Sequence, residues 1–201
     1  MPKEARKRVY DYYFAPEGVP NAAIVAEGKR HNSKIMYAKL YAAGSKDRVG
    51  LLRVNKEVYE EAIQILYSNT IQFESTSTLS DFLVQLDPSL RARLTGIVIN
   101  TWIKTTCRTA MMLLAEARNI KSLKIDSSVL GDEDPAKAAK TFWSDGYKFL
   151  DTVGSAKGDK SAAVDVLSFG RKAPAEGKKK PKAHSEEYVE EFKDNLKGKL
   201  K

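Results

Sequence analysis

The stretch Leu94–Ile125, LTGIVINTWIKTTCRTAMMLLAEARNIKSLKI, decides the fold class of this chain. It opens on a β-branched run over Leu94–Asn100, which is typical of a strand. A helical pattern follows over Thr106–Arg118, and a second strand-like segment follows over Ser122–Ile125. Two strands joined by one helix predict a right-handed βαβ unit whose strands run parallel.

The same alternation of strands and helices continues on both sides of this unit. The further elements that the sequence predicts are a strand over Thr70–Glu74, a helix capped by Ser77, a helix capped by Asp134 that ends near Gly154, and a strand over Ala163–Phe169. We therefore expect an α/β fold with helices packed on a small, largely parallel sheet.

The segment before this alternation predicts a helix, a hairpin and a second helix. Met1–Phe14 has apolar residues one turn apart and begins with a proline suited to a first turn. Ala22–Lys29 and Ser33–Tyr41 are β-leaning runs that predict a β-hairpin, although the second could equally form a short helix. Val49–Tyr67 repeats apolar residues at spacings of three and four, which predicts an amphipathic helix.

The C-terminal region changes composition after residue 170. Residues 171–184 are rich in lysine and contain no large apolar residue, so we expect a flexible basic linker. Residues 185–201 resume a helical pattern, and a helix this short needs a surface to pack on. We expect residues 1–170 to form the domain and the terminal helix to dock on a partner or self-associate through Val189, Phe192 and Leu196.

The formal charge of +8 is concentrated at the two ends of the chain. Residues 1–48 carry a net charge of +5 and residues 171–201 carry +4, whereas the centre carries −1. A nucleic-acid hypothesis therefore depends on the termini. The candidate phosphate-contacting or nuclear-import residues are Lys29, Arg30, Lys34, Lys39, Arg171, Lys172, Lys178, Lys179, Lys180 and Lys182. The alternative is a solvated strand edge and a tail that serves solubility.

Cysteine and histidine usage excludes several classes of protein. Cys107 is the one cysteine, and His31 and His184 are the two histidines, so the sequence cannot form an internal disulfide or a zinc site of several Cys and His. No apolar run approaches the ~18 residues that span a bilayer, and no secretory or transit leader is recognisable. We expect an intracellular protein of the nucleus or cytoplasm.

Catalytic motifs find little support in the sequence. Arg108 could lower the pKa of the neighbouring Cys107 thiol, but neither histidine is near it in sequence. The pair Glu60-Glu61 is explained by a solvated helix face, and Asp132-Glu133-Asp134 is explained by a helix start better than by a divalent cation. We predict no catalytic residue, no metal and no cofactor.

Two segments resemble a large group of fungal F-box-like proteins and domains of unknown function. Met1–Tyr10 (MPKEARKRVY) is similar to their opening pattern, Leu-Pro-x-Glu-hydrophobic-Arg-x-x-Ile-Tyr. Leu51–Tyr67 resembles their block LLxVC(R/K)x(I/V)YxEA followed by (I/L)LY. Asn119–Ile125 looks like their leucine-rich-repeat-like strand, so the resemblance implies a sheet of that type. The likeness covers residues 1–126.

The resemblance implies a non-enzymatic protein-interaction domain. An F-box binds the adaptor of a cullin-type ubiquitin ligase through its helices, which implies partner contacts near Pro2, Glu4, Val9 and Tyr10. The chain departs from the pattern at Met1, at Asn55 and in the predicted hairpin, and these departures favour a structural use of the fold over adaptor binding. The alternative function is nucleic-acid or chromatin association through the basic termini.

Overall fold

Helices and strands alternate along the chain. The computed structural model describes residues 1–14, 24–31, 34–41, 50–131, 134–170 and 184–200, and of residues 27–31 and 34–41 it describes the backbone. The helices are α1 (Lys3–Phe14), α2 (Lys56–Ser68), α3 (Thr76–Gln85), α4 (Pro88–Arg91), α5 (Lys104–Leu114), α6 (Pro135–Lys157), α7 (Ala162–Asp165) and α8 (Glu186–Gly198). The strands are β1 (Ile24–His31), β2 (Lys34–Tyr41), β3 (Thr70–Phe73), β4 (Gly96–Ile99), β5 (Ser122–Asp126) and β6 (Leu167–Gly170).

The six strands form one sheet in the order β2-β1-β3-β4-β5-β6. Only the edge pair β1–β2 is antiparallel, and β1, β3, β4, β5 and β6 are mutually parallel. The α/β prediction and the predicted hairpin are confirmed. Because each parallel strand lies beside its predecessor, right-handed connections carry the intervening helices to the same face of the sheet.

Two rows of apolar side chains cross the sheet on its helix-covered face. Paired residues of successive strands form each row, and nearly all of these side chains are buried. The first row is Ile24, Ile71, Ile97, Leu123 and Leu167, and the second is Ala26, Phe73, Ile99, Ile125 and Phe169. Each fully buried large side chain contributes about 1.5–3 kcal/mol to folding. The alternate positions, such as Lys124 and Ser168, are exposed on the other face.

The predicted helix over Val49–Tyr67 begins later than its apolar pattern suggests. Gly50–Arg53 forms a 3-10 turn, and α2 starts at Lys56. Asn55 is the N-cap of α2, since its side-chain oxygen accepts the backbone N–H of Val58 at 2.8 Å. Asn55 therefore caps α2 at the position where the F-box-like proteins that this segment resembles commonly have cysteine.

Two predicted helix boundaries are wrong. Ser75, not Ser77, is the N-cap of α3, because its Oγ accepts the N–H of Thr78. Helix α6 continues past Gly154 to Lys157, where Gly158 ends it in the left-handed conformation with φ 76°. A Cβ on Gly154 would lie 2.6 Å from the Cα of Lys160, so this glycine permits close packing of the returning chain.

The last predicted strand is shorter than Ala163–Phe169. The side chain of Asp159 accepts the N–H of Ser161 at 2.8 Å, and the short helix α7 follows at once. The strand β6 then begins at Leu167. Asp134 does occupy the N-cap of α6, as predicted, but its side chain makes no capping hydrogen bond.

The terminal helix α8 packs on the domain itself. Phe192 is fully buried, and its ring contacts Phe142 of α6 and Phe169 of β6 at centroid distances of 5.8 and 5.3 Å. Leu196 is also fully buried, and Val189 is partly buried. Phe192 and Leu196 therefore contact the chain's own core, and the prediction that they contact a partner is wrong. A single apolar stripe in the sequence does not reveal which surface it covers.

Among the residues that the structure describes, no helix combines the length and the apolar composition needed to cross a bilayer.

Replacing Phe192 by Ala should destabilise the chain by about 3–5 kcal/mol, because it leaves a cavity beside the rings of Phe142 and Phe169. Replacing the exposed Glu190 of the same helix by Ala should change stability by no more than about 0.5 kcal/mol. Urea unfolding followed by far-UV circular dichroism measures both. An effect of Phe192→Ala as small as that of Glu190→Ala would mean that α8 does not pack on the domain.

Candidate interaction site on helices α1 and α2

An ion pair attaches the N-terminal helix to α2. The Arg6 guanidinium donates two hydrogen bonds to the Glu61 carboxylate, from Nε to Oε2 at 2.9 Å and from Nη2 to Oε1 at 2.7 Å. Nη2 also donates to Glu57 Oε1 at 3.1 Å. The two hydrogen bonds between Arg6 and Glu61 fix both of these side chains in orientation as well as in distance. Glu61 therefore does not belong to a solvated helix face, as the sequence predicts, but joins the two helices.

Tyr10 completes this cluster. Its ring is buried, and its hydroxyl donates to Glu61 Oε2 at 3.2 Å. One turn further along α1, Phe14 is fully buried. Helix α1 is thus held by apolar contacts at its C-terminal half and by charged hydrogen bonds through Arg6 at its N-terminal half.

The cluster shifts the pKa of each of its members. The hydrogen bond from Arg6 lowers the pKa of Glu61 and outweighs the opposing effect of burial. The same hydrogen bond raises the pKa of Arg6. Burial raises the pKa of Tyr10, and the hydrogen bond to Glu61 adds to this shift. At neutral pH, Arg6 and Glu61 are therefore both charged and Tyr10 is neutral.

A groove of about 640 Å³ runs between α1 and α2 beside this cluster. The α1 wall has Lys3 and Lys7 on its surface, and the α2 wall has Glu60 and Glu61. The remaining lining residues are Glu4, Tyr10, Gln64 and Ile65. The α1 wall is thus basic in balance, with Glu4 beside its two lysines, and it faces an acidic α2 wall across a surface that includes the apolar parts of Tyr10 and Ile65.

The predicted interaction residues of α1 fall into different environments. Glu4 lines the groove, and Tyr10 is buried at its base as a structural residue. Pro2 is exposed, and Val9 is 49% exposed, but neither lines the groove. Arg6 and Glu61 organise the site, and of these two the sequence assigns Glu61 to a solvated helix face.

The predicted nucleic-acid residues lie mostly outside the described part of the chain. Arg171, Lys172, Lys178, Lys179, Lys180 and Lys182 fall in a segment that the structure does not describe. Lys29 and Arg30 lie in β1, and Lys34 and Lys39 lie in β2, where the backbone alone is described. The hairpin pairs Lys29 with Tyr37 and Glu27 with Lys39.

Cys107 does not have the environment of a nucleophile. It is fully buried, and its Sγ lies 3.2 Å from the carbonyl oxygen of Lys104 and 3.3 Å from Oδ2 of Asp145. Burial, together with Asp145, raises the pKa of Cys107 to about 11. These effects outweigh the lowering by Arg108, so the thiol is protonated at neutral pH and an unreactive cysteine, the interpretation that the sequence favours, fits this environment.

Among the residues that the structure describes, no three His, Cys, Asp or Glu side chains lie close enough together to hold a metal ion. Asp132 and Glu133 lie outside these ranges.

Comparison of the chain with protein-family models, curated proteins and solved structures gave no match.

Replacing Glu61 by Gln should destabilise the chain more than replacing the adjacent Glu60 by Gln. The neutral amide cannot form the ion pair with Arg6, whereas Glu60 is exposed. Because the folded-state pKa of Glu61 is lowered, its contribution is present above the unfolded-state pKa and disappears as pH falls through the folded-state value.

The difference in unfolding free energy between wild type and Glu61→Gln should therefore be largest at pH 7 and should shrink below about pH 4. Urea titrations at pH 7, 5 and 3 measure this difference. A constant difference across these pH values would contradict the assigned role of the carboxylate.

Proposed function

We propose that this chain is a non-enzymatic protein-interaction module whose contact surface is the groove between α1 and α2. The observation that carries the proposal is the arrangement of that groove, in which Lys3 and Lys7 face Glu60 and Glu61 across an apolar base. The Arg6–Glu61 contact holds both walls in place before a partner arrives, and preorganisation lowers the entropic cost of binding.

The charges on the two walls define the chemistry of the partner. A segment that fits the groove would place an apolar side chain on Tyr10 and Ile65, with an acidic group towards Lys3 and Lys7 and a basic group towards Glu60. The lining residues of α1 carry a net charge of +1, from Lys3, Lys7 and Glu4, and those of α2 carry −2, from Glu60 and Glu61. This difference favours one orientation of the segment as well as its composition. The adaptor of a cullin-type ubiquitin ligase is a candidate partner, and its support is the resemblance of Met1–Tyr10 and Leu51–Tyr67 to F-box-like proteins.

The double variant K3E/K7E should abolish partner binding, because it makes both walls acidic. The control K140E/K148E changes the charge by the same amount on exposed positions of α6. We expect affinity purification with quantitative mass spectrometry to find a protein that wild type and control retain and that K3E/K7E loses at least about tenfold, which corresponds to about 1.4 kcal/mol.

Direct titration with that purified protein should reproduce the loss. An acid-to-lysine substitution in its binding segment should restore affinity for K3E/K7E. If no protein shows this dependence on Lys3 and Lys7, and the purified chain is monomeric, the proposal is wrong.

Nucleic-acid binding remains a second proposal, and the extent of the hairpin supports it. Strand β1 pairs with β3 only over Ile24–Ala26, whereas the antiparallel pairing with β2 continues to His31. The two strands therefore extend beyond the rest of the sheet as a ribbon that carries Lys29, Arg30 and Lys34 at its end. Two-stranded ribbons of this kind can contact nucleic acid.

Gel-shift titration of a single-stranded oligonucleotide at several salt concentrations tests this second proposal. If the ribbon contacts phosphates, the logarithm of affinity should fall with the logarithm of salt by about 0.7 per contact. The variant K29Q/R30Q/K34Q/K39Q should flatten that slope by roughly 2–3, and K140Q/K148Q should leave it unchanged.

The tail should be tested with K178Q/K179Q/K180Q, because truncation would also remove the buried Phe192. Binding that is absent at low salt would exclude this second proposal.

A further inference from the structure

A second cluster of basic residues lies at the edge of the sheet where the parallel strands begin. Arg93 precedes β4, Arg118 and Lys121 precede β5, and Lys157 is in the last turn of α6. These four side chains line a pocket of about 480 Å³, together with Gln64 of α2 and Asn119. They come together because, in a parallel sheet, the segments that enter successive strands meet at one edge.

The charge of this amino-edge pocket is one-sided. Four cationic side chains line it, and among the described residues no carboxylate does. The neighbouring carboxylate of Glu116 is engaged by Arg91 Nη1 at 2.9 Å. Clustered like charges repel one another unless an anion offsets them, so the arrangement favours a negatively charged ligand.

Arg93 is the least exposed of the four basic residues. Its Nη1 is buried and has no hydrogen-bond partner among the described residues. A buried guanidinium nitrogen without an acceptor is destabilising, and such groups are uncommon in folded proteins. This atom is inaccessible from the pocket in the present conformation, so an anion would contact the other atoms of the Arg93 side chain, which lines the pocket.

Helix electrostatics explain only part of this cluster. Lys157 is placed to interact favourably with the C-terminal carbonyl groups of α6, which is a common role for a basic residue in a last turn. That role does not account for Arg93, which precedes β4, or for Arg118 and Lys121, which lie beyond the end of α5.

We propose that the amino-edge pocket binds a small ligand with a chain of phosphates, either inorganic polyphosphate or its ester. The pocket extends from α2 to α6 along the edge, past the starts of β4 and β5, so it offers more length than a single phosphate needs. Its volume lies within the range of small-molecule sites. A bounded pocket with four cations suits a ligand of three or four negative charges better than a continuous nucleic-acid backbone.

This site is separate from the proposed protein-interaction function. Gln64 lines both the groove and the amino-edge pocket, but none of the four cations lines the groove. The groove variant K3E/K7E should therefore keep its affinity for polyphosphate, so the two proposals can fail independently.

Isothermal titration of the full chain with sodium tripolyphosphate tests the site. The exposed pair R118Q/K121Q should weaken binding at least about tenfold, whereas K140Q/K148Q, which removes the same charge elsewhere, should stay within about twofold. Equal weakening by both pairs, or the absence of binding to wild type, would overturn the proposal.

Arg93 allows a test that separates ligand binding from a structural role. R93Q removes the unpartnered group, so the free variant should be at least as stable as wild type, while tripolyphosphate should raise its Tm less than it raises that of wild type. A variant that is less stable but retains the ligand-induced Tm shift would assign Arg93 a structural role and overturn its place in the site.

Two further probes identify the form of the ligand. A nucleoside triphosphate that binds more tightly than tripolyphosphate, with the same dependence on Arg118 and Lys121, supports an ester, and equal affinity supports recognition of the phosphates alone. A single-stranded oligonucleotide that binds more tightly than both, and loses affinity in R118Q/K121Q, would overturn the small-ligand proposal in favour of nucleic acid.

Discussion

The side chains of Ile71, Ile97 and Leu123 lie next to one another on three parallel strands and are almost completely buried. This apolar row can exclude water only if helices cover the same face of the sheet at every strand. Consecutive right-handed connections satisfy that requirement. The positions of both proposed sites follow from this arrangement, because it places α2 beside the first parallel strands and gathers the segments before β4 and β5 at one edge.

Helix α1 stands outside this pattern of strand and helix, and its attachment depends on a different kind of interaction. Phe14 is buried in the core, but the opposite end of the helix is held by the contact between Arg6 and Glu61. Arg6 is 28% exposed and Glu61 is 19% exposed, so the pair is only partly desolvated and remains accessible from the groove. A ligand in the groove would therefore approach a preformed charged contact without having to create it.

The sequence predicts the fold well because its signal is periodic. Strands such as Leu94–Asn100 and the apolar stripe of α2 depend on local alternation, which tertiary contacts reinforce. Helix boundaries are less predictable, since Ser75 and Ser77 are both acceptable caps and only the packed chain selects one. The partner of an apolar stripe is least predictable. The pattern around Phe192 is the same whether the helix packs on its own domain or on another protein.

The sequence places Glu4 and Tyr10 at an interaction site, but the net charge of a segment does not reveal the amino-edge pocket. Residues 49–170 carry a net charge of −1, yet they contain Arg93, Arg118, Lys121 and Lys157 at one edge of the sheet. Acidic residues on other surfaces offset these positive charges in the sum. The electrostatic potential at a site depends on distance, however, and salt screening reduces the effect of charges that lie beyond about 10 Å. The sequence does carry one signal for this pocket, because basic residues immediately before two parallel strands must share an edge of the sheet. The net charge of a segment therefore bears on the solubility of a domain, whereas the order of its strands determines where basic side chains meet and an anion can bind.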